Sequence, residues 1–262
     1  MTAIVIIPAR YHSTRFPGKP LSLLKGKTLI QHVYENSRGA NLVGDVIVAT
    51  DSEAIFTKVL SFGGKAVMTR KEHPSGTDRI AEVAASMGCD IVVNVQADEP
   101  LVRPQMIDDV VSLLLDERAS MGTLMKRMTW AEEVLDPNVV KVVIDEEGFA
   151  LYFSRSPIPY HRDEWKLSNS ERRAESRDVK STIEIRTFHC YKHIGIYSYR
   201  RETLLALSRM KPTELEKVEK LEQLRALEKG MKIKTNETFF ETFGVDTPED
   251  LEKVEKCLST SL

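Results

Sequence analysis

Apolar positions in the first half of the chain follow two alternating periods. Short apolar runs at residues 3–7, 45–50 and 91–95 have the length and composition of buried strands. Between the first two, apolar residues at helical spacing predict a helix over residues 28–38 that ends at Gly39. Repeated strand and helix units predict an α/β fold with a mostly parallel, doubly wound central sheet.

The same alternation predicts three more elements before residue 90. A second helix ends before Gly63, and a short strand follows near residues 66–68. Thr77 is the predicted N-cap of a third helix that runs to Met87 and stops at Gly88.

The middle of the chain breaks this rhythm. Residues 139–144 and 149–153 flank Asp-Glu-Glu-Gly, which predicts an antiparallel hairpin and a smaller antiparallel subregion. Residues 163–187 are charged and aperiodic, which indicates a mobile excursion or a partner-facing flap. Residues 193–199 predict another strand. A capping box of Thr213 and Glu216 predicts one long helix ending at Gly230, and Thr247-Pro248 begins a last helix.

Composition narrows the function classes. A formal net charge of −2 and a pI near 6.3 argue against a general nucleic-acid binder, which needs an excess of cations. No apolar run approaches the roughly 20 residues that span a bilayer, so we expect no membrane partner and a cytoplasmic location. The three cysteines, Cys89, Cys190 and Cys257, are too scattered for a disulfide framework or a thiolate metal site, and we expect them to be small apolar fillers.

A basic loop follows the first strand. Residues 6–21, IIPARYHSTRFPGKPL, place Arg10, Arg15 and Lys19 beyond the strand's carboxyl end, the edge where ligands bind open α/β sheets. Ser13 and Thr14 add hydroxyl donors, so the loop is suited to polyphosphate. The spacing is not that of a P-loop, and a solvated basic loop is the alternative interpretation.

Two acids occupy comparable junctions. Asp98 follows the strand at residues 91–95 and, facing a triphosphate loop, is a chemically sensible Mg2+ ligand. Glu99 is expected to cap the following helix instead. Asp246 precedes Thr247-Pro248 and could complete the metal site. For both aspartates the alternative is an ordinary turn or helix-cap residue.

Four other groups of polar residues are candidates. The loop around Ser75 can bind a base or a phosphate, or can simply cap a helix. On a continuous helix Glu222 falls in an apolar sector, so either Arg225 neutralises it or Glu222 and Gln223 bind a polyhydroxylated ligand. His193 and Tyr197 share one strand face, as a core pair or as ligand contacts. Arg155 and Arg162, which flank two prolines, can bind an acidic substrate or form surface ion pairs.

Several segments together carry a family resemblance. They are IIPARYHSTRFPGKPL, HPSGTDRI (73–80), NVQADEPL (94–101), ALYFSRSPIPY (150–160), KHIGIYSYR (192–200), KLEQLRALE (220–228) and GVDTPEDLEKV (244–254). Over nearly the whole chain they resemble the bacterial 3-deoxy-manno-octulosonate (KDO) cytidylyltransferases. The resemblance implies a Rossmann-like nucleotidyltransferase fold in a single domain, 1–262. Within it, residues 1–122 and 200–262 are the expected nucleotide-binding core, and residues 123–199 the expected sugar-binding and dimerisation subregion.

The resemblance also implies roles for residues. Arg10, Ser13, Arg15 and Lys19 correspond to triphosphate-binding positions, and Ser75 and Gln96 to cytidine-binding positions. Asp98 and Asp246 correspond to Mg2+ ligands, so that Arg10, Lys19 and Asp98 are the expected catalytic group. The implied sugar-acid contacts are Arg155, Arg162, His193, Tyr197, Glu222 and Gln223.

The implied reaction joins CMP from CTP to KDO, releases pyrophosphate, requires Mg2+ and serves lipopolysaccharide synthesis in a homodimeric enzyme. Attack at the α-phosphorus brings two anions together, so cations must offset their repulsion. Two other functions remain open from the sequence. One is transfer to a related acid, such as 8-amino-KDO or a sialic acid, and the other is a non-catalytic sugar-nucleotide sensor.

Overall fold

A computed structural model describes residues 1–12, 16–162 and 190–260 of the 262-residue chain. It is a mixed α/β structure, as the sequence predicts. None of the helices within these described ranges combines the length and the apolar composition that crossing a bilayer requires. The excursion predicted at residues 163–187 lies outside the described residues.

Eleven strands can be assigned in the described residues. They are β1 (Ala3–Ala9), β2 (Leu23–Leu24), β3 (Lys27–Thr28), β4 (Asp45–Thr50), β5 (Lys65–Met68), β6 (Ile91–Asn94), β7 (Met121–Arg127), β8 (Lys141–Ile144), β9 (Ala150–Ser154), β10 (Tyr191–Arg200) and β11 (Ile233–Glu237). The main path of the large sheet runs β11-β7-β10-β6-β1-β4-β5, and β8 and β9 join it through β10. The strands β6, β1, β4 and β5 are mutually parallel, which confirms the predicted core.

The helices of the described residues cover both faces of this sheet. They are α1 (Leu29–Arg38), α2 (Glu53–Ser61), α3 (Gly76–Ala85), α4 (Pro104–Ser112), α5 (Ala131–Leu135), α6 (Arg201–Leu207), α7 (Glu214–Glu219), α8 (Gln223–Glu228) and α9 (Pro248–Thr260). Apolar residues of α1, α2 and α4 pack with one face of β1, and those of α3, α6 and α8 pack with the other face. Burial on both faces explains why the parallel strands are almost continuously apolar.

The antiparallel subregion continues the same sheet. The predicted hairpin forms, with β8 antiparallel to β9 and Gly148 at φ 80° in the turn between them. Strand β10 runs antiparallel to β6, β7 and β8. The boundaries predicted at residues 122 and 200 therefore fall at strands β7 and β10 of one sheet.

Two helix predictions are wrong. The N-cap of α3 is Ser75, whose Oγ accepts the Asp78 N–H at 3.1 Å, and Thr77 lies inside the helix. The single helix expected up to Gly230 is two helices, because Lys220 adopts the left-handed conformation (φ 55°) and ends α7. The predicted capping contact does form, since Glu216 accepts the Thr213 N–H at 3.1 Å.

Two cysteines are buried in the described part of the chain, as expected of apolar fillers. Burial raises the pKa of the Cys190 thiol to about 12, and its Sγ donates to Ile158 O at 3.3 Å. Cys89 lies in the apolar layer beside α3. The Cys257 side chain lies outside the described part.

Strand β10 carries a neutral histidine. The ring of His193 lies 5.1 Å from that of Phe153 and 5.2 Å from that of Tyr197. Thr123 Oγ1, 3.0 Å from His193 Nε2, donates its own proton to Ile196 O at 2.8 Å. His193 Nε2 is therefore the donor to Thr123. Burial lowers the pKa of His193 to about 3, so the ring is neutral at neutral pH.

We predict that Lys220→Gly stabilises the protein by about 0.5–1 kcal/mol, because glycine adopts the left-handed conformation without the Cβ clash. Lys220→Ala removes the same exposed charge but keeps the Cβ, and we expect it to leave stability unchanged or lower. Urea denaturation of the two variants tests this. Equal stabilities would show that the conformation of Lys220 costs nothing.

We predict that His193 makes the fold sensitive to acid. Its folded pKa of about 3 lies below the unfolded value, so the unfolded chain binds more protons between the two values and stability falls as pH decreases. Between pH 7 and pH 5, protonation of His193 in the unfolded chain should lower the free energy of unfolding by about 2 kcal/mol. In urea denaturation, His193→Gln should remove that loss. His12→Gln, at an exposed position, should retain it. A wild-type pH slope in His193→Gln would contradict the assignment.

Candidate active site

A cleft opens at the carboxyl ends of β1 and β6. Its volume is about 300 Å³. Six side chains singled out in the sequence line it, namely Arg10, Lys19, Ser75, Gln96, Asp98 and Asp246. These residues come from four separate segments, which meet because parallel strands present their carboxyl ends at one edge of the sheet.

The two predicted metal ligands, Asp98 and Asp246, both contact the ammonium group of Lys19. Lys19 Nζ lies 2.6 Å from Asp98 Oδ2 and 3.1 Å from Asp246 Oδ1. The Lys19 side chain is only 12% exposed, whereas Asp98 and Asp246 are 30% and 47% exposed. The ammonium thus lies on the inner side of both carboxylates, which face the open cleft.

A backbone contact explains how residues so distant in sequence meet. Val245 N–H donates to Asp98 O at 2.9 Å, which fixes the two loops side by side. The Val245 side chain is fully buried with Leu24, Leu29 and Val254. On the carboxyl-terminal side of Asp246, the Asp250 carboxylate accepts hydrogen bonds from the N–H groups of Asp246 and Thr247 at the start of α9. Asp246 is therefore held from both directions.

The pair of aspartates fits a divalent cation. Mg2+ typically takes one or two protein carboxylates and completes its shell with phosphate and water oxygens. Both carboxylates here already face one positive charge, so their oxygens converge on a cation. Within the described residues no group of three or more His, Cys, Asp or Glu side chains forms a metal cluster. The donor set therefore suits Mg2+ bound together with a phosphate ligand.

Glu99 does not cap a helix, contrary to expectation. The N-cap position of α4 is Arg103, and Glu99 Oε2 is buried without a hydrogen-bond partner among the described residues. Burial, and then the charges of Asp98 and Asp246, raise the pKa of Glu99 to about 8. A third negative charge beside the two aspartates is thereby disfavoured at neutral pH.

The start of α3, where the sequence predicts contacts with a nucleobase, lines another side of the cleft. Ser75 Oγ donates to Asp78 Oδ2 at 2.7 Å, and the adjacent Gly76 lies against Pro8. Gln96 Oε1 is 4.0 Å from the point where a Gly76 Cβ would lie. A side chain at residue 76 would thus narrow the cleft between the loop and Gln96.

Because two helices stand where one long helix was predicted, the environment of Glu222 differs from the expected one. Leu215 and Val218 are exposed, so the apolar sector expected around Glu222 does not exist. Arg225 pairs mainly with Glu216, at 2.5 and 2.8 Å, and lies 3.8 Å from Glu222. Glu222 Oε2 instead accepts the Thr77 hydroxyl at 2.5 Å. The break thus directs Glu222 towards the start of α3.

Tyr197 and His193 lie on the same side as Glu222. Burial, and then the neighbouring Tyr199 and Glu222, raise the pKa of Tyr197, whose ring contacts that of His193. Tyr197 pairs with Asn94 across β10 and β6. Three of the residues predicted to contact a sugar acid, His193, Tyr197 and Glu222, are therefore brought together near the start of α3.

The remaining predicted residues have different positions. The Arg155 guanidinium donates to Glu219 O at 2.8 Å and to Pro137 O at 2.9 Å. Gln223 is buried at the start of α8, and Arg162 is exposed at the last described residue before the excursion. Their proposed ligand contacts remain predictions. Ser13 and Arg15 lie outside the described residues.

The sequence reasoning missed two residues that line the cleft. Arg79 is buried and donates to Asp51 Oδ2 at 2.8 Å and to Thr69 Oγ1 at 2.5 Å. His73 contacts Glu82. Both belong to the HPSGTDRI segment, whose basic residues were the signal that could have identified them.

Comparison with known proteins identifies relatives over the whole chain. The sequence profile described as Cytidylyltransferase matches residues 4–233. A protein from Geobacter metallireducens named 3-deoxy-manno-octulosonate cytidylyltransferase is 53% identical over 260 residues, which cover 99% of this chain and 98% of that protein. A protein of the same name from Thermodesulfovibrio yellowstonii is 48% identical, with 99% of each chain covered.

Solved structures extend the similarity to three dimensions. The structure of a CMP:2-keto-3-deoxy-manno-octonic acid synthetase complexed with CTP has a TM-score of 0.87, 41% identity and full coverage of both chains. A 4-diphosphocytidyl-2C-methyl-D-erythritol synthase from Anaerococcus prevotii has a TM-score of 0.61 at 10% identity, with 98% of each chain covered, and shares the fold alone. By its sequence and its fold, the chain belongs to the cytidylyltransferase family, and within it to the 3-deoxy-manno-octulosonate cytidylyltransferases.

Proposed function

We propose that this protein transfers CMP from CTP to KDO, giving CMP-KDO and pyrophosphate. The relatives' names and the CTP complex of a structural neighbour support the reaction. The observation that carries the proposal is the meeting of Asp98 and Asp246 at Lys19, within a cleft that Arg10 and Gln96 also line. Cations and carboxylates in one cleft suit a metal-bound triphosphate.

The charges of the site account for binding two anions. Arg10 is exposed at the rim of the cleft and Lys19 lies on its inner side, so both can offset triphosphate charge. Asp98 and Asp246 would hold Mg2+ as the proposed cofactor. When bound, Mg2+ neutralises phosphate charge and lowers the pKa of a coordinated hydroxyl.

Direct attack by the anomeric hydroxyl of the sugar on the α-phosphorus requires no protein nucleophile. The new bond joins that oxygen to phosphorus, and the bond to pyrophosphate breaks. His193 is a poor general base for this step, because its Nε2 donates to Thr123 and burial lowers its pKa to about 3. We therefore assign His193 to the shape of the sugar pocket.

Three further features are part of the proposal. Trp130, Leu135 and Tyr160 leave large apolar side chains exposed in the 123–199 subregion, which supports the predicted homodimer. Analytical ultracentrifugation tests that state. A cytoplasmic location and a role in lipopolysaccharide synthesis remain predictions from the sequence.

The substrate is tested by measuring pyrophosphate release with CTP, Mg2+ and each of three acids, namely KDO, 8-amino-KDO and a sialic acid. We expect the highest kcat/KM with KDO. A higher value with another acid would reassign the sugar substrate. CTP binding without pyrophosphate release from any acid would favour a nucleotide sensor.

We predict that Asp98→Asn and Asp246→Asn each lower kcat by about a hundredfold or more, because each removes one of the two anionic metal ligands while keeping the side-chain volume. Asp109→Asn is the matched control, since Asp109 bonds Gln105 on α4 away from the cleft. Circular dichroism should show an unchanged fold in all three. Near-wild-type rates in either aspartate variant would contradict the metal assignment.

A further inference from the structure

The end of β9 and the last residue of α7 bind each other through a reciprocal set of hydrogen bonds. Arg155 Nε donates to Glu219 O at 2.8 Å, a carbonyl that the end of the helix leaves without a partner inside the helix. In return, Glu219 Oε2 accepts the Arg155 N–H at 3.0 Å. Glu219 Oε1 accepts the hydroxyl of Ser154, a residue that is 2% exposed, at 2.6 Å. We call these bonds among Ser154, Arg155 and Glu219 the clamp.

A buried lysine holds Arg155 from another direction. Lys141 is fully buried, and its ammonium donates to Arg155 O at 2.6 Å. Its other two donors bind Val139 O at 2.6 Å and Asp136 O at 2.8 Å, so all three are used. The guanidinium reaches the same loop, because Arg155 Nη1 donates to Pro137 O at 2.9 Å. The main chain and the side chain of Arg155 are therefore both anchored to residues 136–139.

These contacts leave one nitrogen of the Arg155 guanidinium for a ligand. The main-chain N and O, Nε and Nη1 of Arg155 each have a partner at 3.0 Å or less. Nη2 makes no hydrogen bond to any of the described residues. Ordering a free arginine side chain weakens binding, so a guanidinium that is already held binds a carboxylate at a smaller entropic cost.

The clamp also fixes the turn that leads to Glu222. Lys220, which directly follows Glu219, has the left-handed conformation, and Glu222 immediately precedes α8. Because Glu219 is bound through both its carbonyl and its carboxylate, the start of this turn is tied to Arg155. Arg155 and Glu222 are both predicted to contact the sugar acid, and one short turn connects them.

We propose that Glu219 is a positioning residue that holds Arg155 in place for the carboxylate of the sugar acid. The inference rests on the proposed function, in which Arg155 contacts that acid. It adds that affinity for the acidic substrate depends on a side chain that acts through Arg155 and does not itself touch the substrate.

The first test measures the KM for each substrate separately. Glu219→Ala removes both carboxylate acceptors of the clamp, so Arg155 gains freedom that the sugar acid must then restrict. We expect the KM for KDO, at saturating CTP and Mg2+, to rise about tenfold. The KM for CTP, at saturating KDO, should change by less than about twofold, because the proposed triphosphate contacts come from Arg10 and Lys19.

Glu214→Ala is the matched control on the same helix. The Glu214 side chain is 83% exposed and pairs with Lys217 at 2.7 Å, outside the clamp. We expect both KM values of this variant to equal those of the wild-type protein.

A double-mutant cycle tests whether Glu219 acts through Arg155. Arg155→Ala alone should raise the KM for KDO, and adding Glu219→Ala should raise it no further. A second rise as large as that of Glu219→Ala alone would overturn the inference, as would an unchanged KM for KDO in Arg155→Ala. If Glu219→Ala does not fold, Ser154→Ala replaces it in the cycle. Ser154→Ala removes one of the two bonds to the carboxylate, and we expect about a threefold rise in the KM for KDO.

A purely structural role for Glu219 would lower the midpoint of urea denaturation without separating the two KM values. Equal changes in the KM values for KDO and CTP, or no change in either, would therefore overturn the inference. Failure of the proposed function is distinguishable, because then the wild-type protein would release no pyrophosphate from CTP and KDO.

Discussion

Two aspartates held against a single lysine are the constraint on which the cleft depends. Like charges repel, so Asp98 and Asp246 can approach each other only because Lys19 lies within 3.1 Å of both. The Val245 to Asp98 backbone bond and the burial of Val245 keep the loops in place. The same pair of carboxylates would supply the anionic ligands of the proposed divalent cation.

The second organising feature is the start of α3, where the two sides of the cleft meet. Ser75 caps the helix, Thr77 bonds Glu222, and Gly76 lies beside Gln96. This arrangement depends on the left-handed turn at Lys220, which ends α7 and places Glu222 at the beginning of α8.

Burial determines the charge states of His193 and Glu99. His193 remains neutral because burial disfavours its charged form, which suits it to packing and hydrogen-bond donation. Burial also disfavours the charged form of Glu99, and together with two neighbouring carboxylates it raises the pKa of that residue. The charged groups that face the cleft and can act on a ligand include the two aspartates, Arg10 and Lys19. A chain with a net charge of −2 can thus hold a polyanion, because its cations are concentrated locally.

The sequence by itself determined the parallel core, the hairpin and the family, because strand and helix periods, turn residues and contiguous motifs are local properties. Through the family resemblance it also predicted that Asp98 and Asp246 belong to one metal site. Only the tertiary structure decided that the two carboxylates meet at the Lys19 ammonium, and that Glu222 turns from Arg225 to Thr77. Those outcomes depend on contacts between residues up to 227 positions apart and on the backbone conformation of Lys220. Side-chain periodicity carries no information about either.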